Sequence, residues 1–180
     1  LLPSSTIKLL FQVADGTSNP LNVENNVEWY FLEKNIWKAF DNISVIDATN
    51  NFTQSGIVTF VLPDTINQGN TLFAGSLAWI KAMVQKDTDA VCKLITIQAQ
   101  AVKVTLAAEE TNTIYFKKLL TAGTISKLLV ADPAVKKINQ PYESFGGRVK
   151  EISDQFYTRV SERLRHKQRA IAAWDYEKIV

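Results

Sequence analysis

Histidine, cysteine and methionine are almost missing from this chain, with one of each in 180 residues. A serine or cysteine nucleophile would have only His166 as its base. That residue stands in Arg163-Leu164-Arg165-His166-Lys167, where neighbouring cations oppose the imidazolium that base catalysis must form. The lone Cys92 excludes an internal disulfide framework and any multi-cysteine zinc site. Set among Val91, Leu94 and Ile95, it reads as a buried, reduced thiol. Long apolar runs are absent too, and none approaches the roughly 20 residues that cross a bilayer. Glycine motifs are equally sparse. Gly146-Gly147 has neither the Gly-x-Gly-x-x-Gly spacing nor a Gly-Lys-Ser/Thr end, so it reads as a turn and not as a phosphate cradle. Net charge is small, +2, which gives no polyelectrolyte footprint for nucleic acid. No catalytic centre, cofactor, metal or small-molecule substrate is expected.

What is present is β-rich. Thr6–Val13 reads as a strand ended by Asp15-Gly16, and residues 17–26 as a polar loop. Val27–Leu32 and Ile36–Phe40 form an aromatic hairpin around Glu33-Lys34-Asn35. Ile43–Asp47, Gly56–Leu62 and Leu77–Val84 follow as strands, separated by turn chemistry at Thr49-Asn50-Asn51 and Pro63-Asp64. Residues 90–106 mix Ala, Lys and Gln with a β-branched run, and the β-branched run favours mostly strand. Short extended pieces are expected at Tyr115–Leu120, Ile125–Val130 and Val135–Asn139, then a loop over Pro141–Gly147.

The pattern then becomes helical. Ser153 is a candidate N-cap with Asp154 in the first turn, and the helix should run to about Lys167. Phe156, Val160 and Leu164 form an apolar stripe at i, i+4, i+8, which should pack on the chain's own body. Arg159, Arg163 and His166 fall together on the adjacent flank, a candidate assembly interface for acidic partners. A second helix starts at Trp174-Asp175-Tyr176-Glu177. The expected fold class is α+β and mainly β. A β-sandwich-like domain occupies residues 1–108, a small β-hairpin region residues 109–150, and a helical segment residues 151–180. With Leu1 at one end and a barely begun helix at the other, the chain is expected to be a fragment of a larger protein.

Other sites compete with blander readings. Glu109, Glu110, Asp132 and Glu143 are numerous enough for a glycosidase pair, but surface carboxylates are the default. Trp29, Tyr30, Trp37 and Trp79 permit a sugar-stacking platform, while strand tryptophans more often serve core or interface packing. The Arg159–Arg169 run offers phosphate contacts, yet Glu162 lies within reach of Arg165 and His166, and no aromatics interleave to stack bases.

Several tracts together resemble the baseplate J-like family of contractile phage tails and related injection systems. They are the Trp29-Tyr30/Trp37-Lys38 hairpin, Asp47-x-Thr49 followed by Ser55-Gly56-Ile57-Val58-Thr59-Phe60, and Trp79-Ile80-Lys81-Ala82. Ser144-Phe145-Gly146-Gly147-Arg148, the Tyr157–Leu164 helix and Trp174–Glu177 continue the series, across most of residues 27–180. Lys81 stands where the resemblance leads one to expect arginine, a change that keeps the charge and loses the planar fork. The resemblance implies a structural wedge subunit without catalysis. Its partners would be other wedge subunits and copies of itself, with no nucleic acid and no membrane span. It would be assembled in the cytoplasm and then held in the baseplate of the particle. The rival class is a carbohydrate- or receptor-binding β-sandwich module.

Overall fold

The computed structural model describes residues 5–21, 26–66, 69–106, 118–147, 149 and 151–166. Strands dominate, as the sequence pattern requires: β1 Thr6–Val13, β2 Val27–Glu33, β3 Ile36–Ala39, β4 Val45–Asp47, β5 Gly56–Val61, β6 Ile80–Val84 and β7 Leu94–Ala99. A 3₁₀ turn spans Thr88–Ala90, and one helix, α1, spans Ser153–His166. The chain divides into two compact units, Leu1–Val104 and Thr105–Val180.

In the first unit two antiparallel sheets, ordered β4-β5-β1-β7 and β3-β2-β6, bury their facing sides against each other. Alternation sends Phe11, Val58 and Phe60 inward from one sheet and Val27 and Trp29 from the other, with Leu62 completing the cluster. The rings meet edge-on: Trp29 lies 5.5 Å from Phe11, 5.5 Å from Phe52 and 4.8 Å from Phe60. Such contacts add about 0.5–1.5 kcal/mol per pair beyond burial. The Trp29 indole N–H finds no acceptor among the described residues, so the ring serves by its size and shape.

Lys34 and Asn35 both take positive φ, 47° and 64°, between paired Glu33 and Ile36. This two-residue turn matches the strand twist, and Asn35 is well suited to it. The Asn35 side chain then accepts from Thr71 N at 2.7 Å and donates to Thr71 Oγ1 at 2.8 Å, which pins the following strap to the hairpin.

Several strand expectations shift. β6 starts at Ile80 and not at Leu77, because Leu77 N–H turns back to Ala74 O and the Trp79 indole donates to the same carbonyl. The 90–106 stretch is strand only over Leu94–Ala99; Gln100 enters the left-handed region at φ 59° and ends the regular ladder. In the second unit no strand forms among residues 118–147. Side chains there do what a ladder would have done. Gln140 accepts from Ile125 N at 2.9 Å and donates to Tyr142 O at 2.9 Å, while Leu120 and Ser144 exchange two bonds of 2.9 and 2.8 Å. The helix start at Trp174–Glu177 lies outside the described residues.

Among the described residues of the first unit Glu33 is the one buried carboxylate, bonded to Lys38 at 2.9 Å. That bond first, then one from Thr65, holds its carboxyl below the ordinary value. A depressed folded-state pKa adds stability that is present above the unfolded value and is lost as pH falls through the folded one. Thermal melts from pH 7 downward should therefore show Glu33→Gln less stable than the parent at neutral pH, with the two converging in acid below about pH 4. A gap that stays constant across that range would rule out the linkage.

Candidate assembly surface

The Asp47-x-Thr49 tract and the Ser55–Phe60 tract prove to be one structural knot. The Asp47 carboxylate accepts from Thr49 N and Thr49 Oγ1, both at 2.6 Å, and from Asn51 N at 3.1 Å. Thr49 Oγ1 in turn accepts from Phe52 N at 2.9 Å. These bonds hold Asn50, Asn51 and Phe52 at positive φ, between 51° and 60°. Asn51 Oδ1 reaches across to Val27 N, and Cys92 closes the other side through Phe52 O and Thr53 O. Ser55 Oγ bonds both backbone groups of Val13, where β1 slips register against β7. Gly56 lies against the Ala48 carbonyl so closely that a Cβ has no room. All of these residues are spent on the fold.

The tryptophans divide. Trp29 is core, whereas Trp37 and Trp79 are half-buried on the opposite face of the small sheet. Trp37 lies 6.3 Å from Phe73, and Phe73 lies 4.6 Å from Trp79. Lys81 Nζ sits 4.5 Å from the Tyr30 ring and 5.1 Å from the Trp37 ring. The cation at this position therefore works by stacking, the use an arginine would also serve.

On α1 the carbonyl of Ile152 accepts the first helical bond, from Phe156 N at 3.0 Å. Ile152 is thus the cap position, and Ser153 sits one residue inside. Asp154 lies in the first turn, where the helix dipole favours it. The expected packing of the apolar stripe is not seen: Phe156 and Leu164 are exposed and Val160 is only half-buried. Arg159 and Arg163, one turn apart, are also exposed. The side chain of His166 lies outside the described residues.

Arg159 already has a carboxylate. Its Nε and one Nη bond Glu151 Oε1 and Oε2 at 2.7 and 2.8 Å, a fork-to-fork pair. The guanidinium also lies 5.5 Å from the Phe156 ring, and the Glu151 bond holds its pKa above the ordinary value. An eight-residue spacing lies outside the i+3 and i+4 rules, which is why the partner is not apparent from helical periodicity. The available cue is the backward tilt of helical side chains toward the N-terminus, where Glu151 stands. Glu151, Ser153, Phe156 and Tyr157 line an open depression beside this pair. Among the described residues no group of three or more His, Cys, Asp or Glu side chains is placed to hold a metal ion, and no helix is long and apolar enough to cross a membrane.

The arrangement offers surfaces on a two-sheet β-body, and the Asp47–Phe60 tracts are accounted for by folding. No curated protein matches the chain. Residues 2–179 match the family model described as "Baseplate protein PVC11-like", and the chain belongs to that baseplate protein family.

Proposed function

We propose that the chain is part of a baseplate wedge subunit of a contractile, phage-tail-like injection system, akin to baseplate J-like proteins. It acts by protein–protein assembly and performs no chemistry. The family match along residues 2–179 is the observation that carries this reading. The exposed apolar stripe of α1 supports it, since such a face next to cations suits a partner surface. Other wedge subunits and copies of the chain are the partners, met in the cytoplasm before the wedge is built into the particle.

Arg159 and Arg163 are the residues we assign to that contact, with His166 on the same flank. Glu151 orients Arg159 and leaves its outer side accessible. Reversing both arginines to glutamate should move the melting temperature of the chain by no more than a few degrees, as exposed positions do. In the complete protein it should cut the yield of assembled particles, counted by negative-stain microscopy. A normal yield would remove these residues from the interface.

The half-exposed Trp37, Phe73 and Trp79 group keeps a second reading in play, a carbohydrate- or receptor-binding module. It is the weaker one because Trp29, a quarter of the expected aromatic platform, is core. Glycan-array binding that disappears in Trp37→Ala would move it ahead.

A further inference from the structure

Residues 125–140 form a loop whose two ends are tied together. Ile125 N–H donates to Gln140 Oε1 at 2.9 Å, and Gly123 N–H donates to Gln140 O at 3.0 Å. Just outside that closure Leu120 and Ser144 exchange two further bonds. Within the loop the Asp132 carboxylate accepts from Ala134 N at 2.9 Å, and Val135 N donates to Asp132 O at 3.0 Å. Pro133 fixes φ between them, so Asp132–Val135 is a tight turn that sends the chain back. Compact loops with joined ends frequently carry function.

Ahead of the turn stand three consecutive apolar residues, Leu128-Leu129-Val130. Leu129 is fully exposed, Val130 79% and Leu128 44%. A single exposed apolar side chain needs no explanation, but a run of three in a loop with tied ends does. The bonds that shape the loop are made by backbone groups, Gln140 and Asp132, and not by these side chains. The surrounding charges are of one sign. Lys127 leads into the run and Lys136-Lys137 follow the turn, all three exposed and in no ion pair among the described residues. The loop's one acid, Asp132, has its carboxylate engaged in the turn.

We propose that this loop is a docking knob: Leu128, Leu129 and Val130 enter an apolar cleft on a different baseplate subunit, and Lys127, Lys136 and Lys137 meet carboxylates on its rim. Each leucine buried strengthens the contact about tenfold or more. The lysines set register and reject cationic surfaces. A second copy is a poor host at α1, whose exposed flank carries Arg159 and Arg163. Because the loop's ends are already joined, less order remains to be imposed on docking. Three side chains make an anchor inside a larger contact and not an interface by themselves. The inference rests on the baseplate reading for the kind of partner, and adds a contact separate from α1.

The test uses purified particles built with the complete protein, carrying a photoreactive benzophenone amino acid in place of Leu129. Irradiation should link that position to a different subunit, at a peptide that holds Asp or Glu beside apolar residues. Leu128→Ser with Leu129→Ser should lower the yield of assembled particles several-fold. The melting temperature of the 180-residue chain should stay within a few degrees, as it does for exposed positions. Lys127→Glu with Lys136→Glu and Lys137→Glu should act in the same way. Particles that contain the protein yet give no link would overturn the knob. A link to a second copy or to a peptide without carboxylates, or a normal yield from either variant, would do the same. So would flotation of the chain with vesicles of equal parts phosphatidylglycerol and phosphatidylcholine that is lost in the double serine variant, because the tip would then be a lipid anchor. Absence of the parent protein from the particles would sink this inference together with the baseplate reading, whereas each of the other outcomes leaves that reading standing.

Discussion

Alanine at Gly56 should destabilise the first unit by about 3–4 kcal/mol, a penalty in the range of severe overpacking. The added methyl would be driven into Ala48 O and come within 2.8 Å of Thr49 N. Both are backbone atoms, and neither can swing aside as a side-chain end would. They are also fixed from the other side, because Ala48 N donates to Ile57 O and Thr49 N donates to Asp47. Relief therefore requires breaking the knot or parting β4 from β5. Thermal unfolding of the chain should show a melting temperature lowered on the order of 15 °C or more, given about 4–8 °C per kcal/mol for a domain near 100 residues. Gly75→Ala is the matched control, since the nearest atom to its new methyl lies 4.0 Å away. If Gly56→Ala melted alongside that control, the close approach would not be a constraint on the fold.

How much of this was readable beforehand depends on the range of the interaction. Alternating Ile7, Leu9, Phe11 and Val13, and likewise Val58 and Phe60, announce strands because the period is local. Glu33-Lys34-Asn35-Ile36 announces a turn for the same reason. Helix α1 emerges at Ser153 and is helical to His166, where the described residues stop; the expected end at Lys167 lies outside them. Trp79, by contrast, has a strand-like neighbourhood and its carbonyl still accepts from Leu32 N, but its side chain is engaged by Phe73 and by Ala74 O, partners in the preceding strap, just ahead of the regular strand. Of the expected extended pieces, Ile125–Val130 and Val135–Asn139 form no strand, and residues 115–117 of Tyr115–Leu120 lie outside the described residues. The Gln140 side chain instead bonds Ile125 N, Leu120 O and Tyr142 O, partners that no local period announces. At the candidate surface, Arg159 and Arg163 were legible as a flank, but the Glu151 carboxylate was not. Burial of the α1 stripe was the clearest failure. Amphipathicity says that a face wants cover, not which molecule supplies it.

The aspartate of the knot should show the other large effect. Asp47→Ala removes an acceptor of three hydrogen bonds and leaves the Thr49 hydroxyl, which is fully buried, with no acceptor in its place. Unmaking bonds to a charged acceptor in such a site costs about 3 kcal/mol, because the stranded donors cannot return to water. A graded series separates this from a generic loss of packing. Thr49→Val keeps the shape but removes the hydroxyl, stranding only Phe52 N–H and one Asp47 contact, and should cost about 1–2 kcal/mol. Asn51→Ala removes the 3.2 Å bond to Val27 N and puts alanine at φ 56°, but leaves the Asp47–Thr49 bonds intact, so it should cost less than Asp47→Ala. Denaturant melts should show Asp47→Ala as the most damaging of the three, with unchanged slopes if the folded state survives. The three left-handed residues Asn50–Phe52 depend on Asp47 and Thr49 for their conformation. Local exchange at Phe52 N–H should therefore accelerate in the first two variants before global unfolding does. An Asp47→Ala protein as stable as the parent would mean that the loop is held by Cys92 and Val27 from outside, and that the aspartate is not its organising residue.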